Sequence, residues 1–170
     1  MGLEPPRSAR QRKADTLAKL GAAQADLWVA TASVADDRQA APHLVPLTSA
    51  WLDQRVVIAV EATSLTARNL LEHGRARLGL GPTRDVVMID ALLDEVVELK
   101  GNDDDDGVVP APDDGPDHLA LRYAAQAGWD PRSGGADFVL LALRPERIQA
   151  WREENELAGR TLMRDGDWLD

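Results

Sequence analysis

The segment Pro42-His43-Leu44-Val45-Pro46-Leu47-Thr48-Ser49-Ala50-Trp51-Leu52-Asp53-Gln54-Arg55-Val56-Val57-Ile58-Ala59-Val60 decides how the chain is read. Two apolar runs, His43 to Trp51 and Val56 to Val60, flank the polar pair Asp53-Gln54. Short runs rich in Val, Ile and Trp favour strands. A two-residue polar break between them predicts a tight antiparallel hairpin, although Asp-Gln is weaker turn chemistry than Asn-Gly. Pro46 has no N–H to give to a ladder, so it marks an edge or bulge where backbone is open to a ligand.

Upstream, Leu27 to Ala32 adds a third strand, set off by Asp36-Asp37-Arg38-Gln39, so a β-meander is expected. Before it, Ser8 to about Gly21 reads as a helix with Leu17 and Leu20 as its apolar stripe and Arg10, Arg12, Lys13 and Lys19 free for the solvent side. Residues 1–8 are expected to form a flexible tail, and residues 9–170 a single domain. Downstream, Ser64 can cap a helix carrying Leu65, Leu70 and Leu71 that stops at Gly74. Strand chemistry resumes over Arg77 to Gly81. It returns in the long run Asp85 to Lys100, which needs a bulge near Asp90 or Asp94-Glu95 to be one strand. The segment 101–115, with its acidic run Asp103 to Asp106, lacks the alternating ligand pattern of a calcium loop and is expected to be a mobile, solvated connection. Asp117 to Ala127 reads as a helix and Phe138 to Leu143 as a final buried strand. Ile148 to Trp151 leads outward, and Arg164-Asp165-Gly166-Asp167 reads as a tight turn. Neighbouring strands without regular crossover helices predict a mainly β fold, a closed antiparallel barrel with peripheral helices.

Composition narrows the function. The chain of 170 residues carries 29 acidic against 19 basic residues, a net charge of −10, which argues against nucleic acid and anionic membrane as partners. With no cysteine, a thiol nucleophile, a thiolate metal site and a disulfide framework are excluded. His43, His73 and His118 have no short ligand spacing, so no metal site is expected. The sequence shows neither a signal-peptide apolar region nor an apolar run long enough to span a membrane, and a cytoplasmic location is expected. The elbow of serine hydrolases, the phosphate loop of nucleotide hydrolases and the dinucleotide-binding glycine turn are all missing. Any redox chemistry would have to be carried by a bound cofactor.

Three places could hold one. In Thr63-Ser64-Leu65-Thr66-Ala67-Arg68-Asn69, hydroxyls, free first-turn N–H groups and an arginine one turn on make either a phosphate cradle or simply a capped helix. Gly81-Pro82-Thr83-Arg84-Asp85 is a second turn with an arginine, paired with Asp85 or free for a ligand. The five tryptophans against one Phe and one Tyr include Trp129 and Trp151, each beside an arginine and acidic residues, suited to a flat ligand, a subunit interface or plain packing.

In order along the chain, these motifs resemble those of the pyridoxamine 5'-phosphate oxidase-like, FMN-binding split β-barrel family, in its actinobacterial-type branch. The strand pair of Pro42 to Leu47 with Val56 to Ala59 is similar to the family's "P-x-x-V-P" strand and its hairpin partner. Thr63 to Leu70 resembles its phosphate-binding segment. Arg77 to Val87, and Ile148 to Arg152 with Gly159 to Gly166, resemble the branch. The likeness covers roughly residues 9 to 169. It implies a split barrel, a homodimer with the cofactor at the subunit interface, and FMN or alternatively the deazaflavin F420 as cofactor. By resemblance, Val45, Pro46, Leu47 and Thr48 would face the isoalloxazine ring. Thr63, Ser64, Thr66, Arg68 and Asn69 would hold the phosphate, and Arg84, Trp151 and Arg152 would approach the cofactor from either subunit. Many members have a lysine two residues before the arginine of that segment, where this chain has Thr66. The implied activity is a flavin- or deazaflavin-dependent oxidoreductase acting on a small organic substrate, and the alternative is a non-catalytic flavin- or tetrapyrrole-binding module.

Overall fold

The structure is a computed structural model that describes residues 5–34, 39–99 and 116–169; the expected acidic connection therefore lies outside the described residues. Helix α1 (Ala9–Leu20) begins in a capping box: the Ser8 hydroxyl accepts from the Gln11 N–H, and Gln11 Oε1 accepts from the Ser8 N–H. Strands β1 (Ala25–Val34), β2 (Ala40–Leu52) and β3 (Arg55–Glu61) form the expected meander. The hairpin between β2 and β3 puts Asp53 and Gln54 at φ of 52° and 60°, the doubly left-handed geometry whose twist matches the strands. Helix α2 (Leu65–His73) is capped by Ser64 and ends at Gly74 in the left-handed region. Strands β4 (Arg75–Leu80) and β5 (Val86–Glu98) follow, then α3 (Pro116–Ala127), β6 (Phe138–Trp151), and the short hairpin of β7 (Thr161–Arg164) and β8 (Asp167–Trp168).

The strands hydrogen-bond in the order β3-β2-β1-β4-β5-β6, and β6 returns to β3, so six strands close into an antiparallel barrel. Closure covers only part of each strand: β3 pairs with β2 over Ser49–Leu52, so the preceding stretch of β2, with Pro46, pairs with β1 alone. Leu27, Val29, Ile58, Leu78, Ile89, Leu141 and Ile148 fill the interior. A second apolar cluster lies outside the barrel, where α3 covers β2, β3 and β6 through Leu119, Ala120, Tyr123 and Ala127 against Val57, Leu140 and Ala142. The Tyr123 hydroxyl donates to the Thr48 carbonyl at 3.1 Å, and burial pushes its pKa up to about 12.

Two expectations change. The final strand does not stop at Leu143: β6 runs unbroken through Pro145 to Trp151. It can do so because Ala91 pairs with Pro145 and Asp90 with Arg147, which leaves Glu146 as the extra residue of a bulge beside the proline. A second irregularity falls between Leu93 and Glu95, so the long β5 is bent near both expected positions. On α1, Arg12 is not on the solvent side. It is buried with Thr16 and Leu20, and its Nη1 donates to the Glu156 carbonyl.

Candidate functional site

The segment after β3 turns into α2 so that successive residues have different tasks. Ser64 accepts from the Ala67 N–H at 3.2 Å and serves as the cap. Thr66 is buried, with its hydroxyl 3.1 Å from His43 Nε2 on β2. Asn69, also buried, donates to the Thr31 hydroxyl on β1 at 3.0 Å. Because Thr31 and His43 are register partners, Thr66 and Asn69 clamp one face of α2 onto the β1–β2 ribbon. Arg68, on the opposite side of the helix, is exposed and has no ion pair among the described residues. Thr63 is likewise exposed. Thr63, Ser64 and Arg68 thus sit at the accessible end of the helix, while Thr66 and Asn69 hold it in place.

Residues 45–48 alternate along β2. Val45 and Leu47 pack against the barrel core, and Pro46 is exposed on the outer face. The hydroxyl of Thr48 donates to Asp26 at 2.8 Å. The outer face of β1 and β2 is apolar in four successive register pairs: Trp28–Pro46, Ala30–Leu44, Ala32–Pro42 and Val34–Ala40. Trp28 is 52% and Leu44 59% exposed, although the inner face of the same ribbon already supplies the core. This row continues across the sheet, since Trp28 pairs with Gly79, Gly79 with Met88, and Met88 with Gln149.

Trp151 and Arg152 lie at the end of β6, and Trp151 packs under the Arg160 guanidinium at 5.3 Å. Arg152 is drawn into a charged cluster: its Nε is 3.3 Å from Asp85, which also meets Lys19 at 2.7 Å. Lys19, Arg152 and Arg7 hold the Asp85 carboxyl below its ordinary range, against the opposing effect of burial. Arg84, on the same turn, is exposed and pairs with Glu153 at 3.6 Å. The turn itself requires glycine at its start: Gly81 is left-handed, and a Cβ there would lie 2.5 Å from the Asp85 carbonyl. Arg147, Gln149 and Arg160 are brought together by the β5–β6–β7 register.

No family model matches the sequence, and no curated protein matches it. Solved structures do. A protein called F420 reductase is 15% identical, with a TM-score of 0.50 over 77% of this chain and 94% of its own. A heme-binding protein from Mycobacterium smegmatis is 17% identical, with a TM-score of 0.58 over 97% of this chain and 60% of its own. A Listeria innocua protein assigned as a pyridoxamine 5'-phosphate oxidase is 14% identical, with a TM-score of 0.53 over 83% of this chain and 98% of its own. The fold is that of the pyridoxamine 5'-phosphate oxidase-like split barrels. In this split barrel no helix among the described residues is long and apolar enough to cross a membrane.

Proposed function

We propose that two copies of this split barrel pack through the outer face of β1 and β2 and hold FMN, or alternatively F420, at their interface. In this reading the complex is an oxidoreductase for a small organic substrate. The observation that carries it is the row of four apolar register pairs from Trp28–Pro46 to Val34–Ala40, open to solvent on a ribbon whose other face is already in the core. Exposed apolar surface of this continuity is characteristic of interaction sites.

The residues present fit such a cofactor. Arg68 is accessible and has no ion pair among the described residues beside the Ser64-capped start of α2, where the helix dipole also favours an anion. A flat ring suits the apolar row, which lies on the other face of the β1–β2 ribbon from the one that α2 clamps. FMN or F420 supplies the two-electron chemistry when bound. The chain's own part is to orient the ring against this face, exclude water by dimer packing, and neutralise the anionic tail with Arg68. The F420 reductase among the similar folds supports the choice of cofactor class.

The test is the absorbance spectrum of the purified protein, followed by titration with FMN and with F420 and by sedimentation. The expected result is a dimer with saturable binding of one cofactor, near micromolar or about −8 kcal/mol. A colourless monomer that binds neither overturns the reading, because a fold does not carry its relatives' chemistry with it.

A further inference from the structure

At the end of the barrel where β3 begins, the β2–β3 hairpin, the bend of β5 at Asp94, the β6 bulge beside Pro145 and the β7–β8 turn enclose a cavity of about 510 Å³. Small-molecule sites occupy roughly 300–1,000 Å³. Much of the charge around this cavity is cancelled within the protein. Both Asp53 oxygens accept from Arg122, and Arg55 donates to Asp94 at 3.2 Å and to Glu95 at 2.7 Å. Three charges remain. Asp165 and Asp167, in and beside the β7–β8 turn, are exposed and make no ion pair among the described residues. Arg144 meets a carboxylate only through its Nε, 3.6 Å from Asp94, which leaves both terminal nitrogens open to a ligand. Gly166, between the two aspartates, lets that guanidinium approach the turn, since a Cβ there would lie 3.7 Å from Arg144 Nη1. The Gly166 N–H donates to the Glu146 carbonyl at 3.0 Å and fixes the turn against the β6 bulge. Pro145 and Met163, both buried, give the cavity an apolar floor.

Two carboxylates and one guanidinium leave the cavity one negative charge in excess, so a matching ligand carries two cations and one anion. We infer that the cavity is a binding site for a basic α-amino acid of the lysine type. Its carboxylate pairs with the terminal nitrogens of Arg144, its two ammonium groups pair with Asp165 and Asp167, and its methylene chain lies over Pro145 and Met163. A guanidinium fork matches a carboxylate, and an ammonium group brings three donors to carboxylate oxygens. An arginine placed only to neutralise the two aspartates would sit within ion-pair distance of one of them, as Lys19 does with Asp85 at 2.7 Å. Arg144 instead rests beside the turn without pairing there, the arrangement of a site with a cationic and an anionic wall. The cavity is separate from the proposed cofactor site. Arg55 opens β3 at the cavity and Glu61 closes it ahead of the Ser64 cap, so the seven residues of the strand, roughly 20 Å, lie between them. Recognition here does not rest on FMN, F420 or the dimer.

The test is calorimetric titration of the purified protein at low ionic strength, where exposed charges are least screened. The probes are L-lysine, cadaverine, which lacks the carboxylate, and ε-aminocaproate, which lacks the α-ammonium. Lysine is expected to bind saturably and each analogue about tenfold or more weakly, through loss of one charge-assisted contact. Asp165→Asn and Asp167→Asn should each weaken lysine about tenfold. Arg144→Gln should weaken lysine to the same extent while cadaverine binds no more weakly than to the native chain, because only lysine has a group for this arginine. Circular dichroism of each variant separates loss of the site from loss of the fold. The inference is overturned if the native chain does not bind lysine, if cadaverine binds it as tightly as lysine does, which marks an acidic patch only, or if folded Arg144→Gln binds lysine as the native chain does. The probes need no cofactor, so failure of FMN or F420 to bind is read separately.

Discussion

Arg7 and Glu156, 149 residues apart in the chain, meet through three hydrogen bonds: Arg7 N to Oε1 at 2.8 Å, Nε to Oε1 at 2.9 Å and Nη2 to Oε2 at 2.7 Å. Glu156 also accepts from the Arg152 N–H at 2.8 Å. One buried carboxylate thus ties the segment before α1 to the end of β6 beside Trp151. Ser8, next in the chain, is held as the α1 cap, so the expected tail does not include these two residues.

This contact makes stability depend on acid. Hydrogen bonding to Arg7 is the main cause that holds the Glu156 pKa down to about 2. A carboxyl depressed in the folded state contributes stability that is complete above its ordinary value and lost as pH falls through its folded value. Urea unfolding is therefore expected to show stability declining from about pH 5 toward pH 2. Glu156→Gln should lose about 1–3 kcal/mol near neutral pH and flatten that slope. An unchanged slope in the variant would assign the acid sensitivity to other carboxylates.

Gln54 stands at φ 60° in the β2–β3 hairpin and is exposed. A residue with a Cβ is strained there, and glycine is not. Gln54→Gly should raise stability by about 0.5–1 kcal/mol, read as a shift in the denaturant midpoint at constant slope. Asp53, its neighbour, is better left in place because both its oxygens accept from Arg122, at 2.7 and 2.8 Å.

Trp28 is the largest exposed side chain of the β1–β2 face. Trp28→Glu places a charge among the apolar pairs, and sedimentation is expected to show the native chain as the proposed dimer and the variant as a folded monomer. A variant that sediments with the native mass would remove this face as the interface.

Arg68 makes no ion pair among the described residues, so Arg68→Ala should leave stability within about 0.5 kcal/mol. FMN or F420 should bind about ten- to a hundredfold more weakly, the loss of a charge-assisted contact to the anionic tail. Equal affinity would move the anionic tail away from the start of α2.

What depends on a few neighbouring residues was readable before any strand was paired. Ser8 and Ser64 announce helix starts and Gly21 and Gly74 their ends, because a cap is a local hydrogen bond or a local backbone angle. The hairpin at Asp53-Gln54 and the bend in the long β5 run were legible for the same reason. So were the candidate residues around Ser64, although not the division between Thr66 and Asn69, which clamp the helix, and Arg68, which is accessible.

Which charges meet follows from how distant strands pack. Arg12 looked solvent-facing but is buried, since its surroundings come from the Glu156 segment, 144 residues on. The strand from Phe138 was expected to stop at Leu143, yet a bulge beside Pro145 carries it through to Trp151. Trp28 alternates in the strand like a residue that could face either way, and closure of the barrel leaves it outside. Arg147 and Arg160 converge on Gln149 through strand register, and a shift of one residue would have sent those side chains to opposite faces. Local propensity reports the backbone's own preferences, while convergence of distant charges is a property of how the strands are paired.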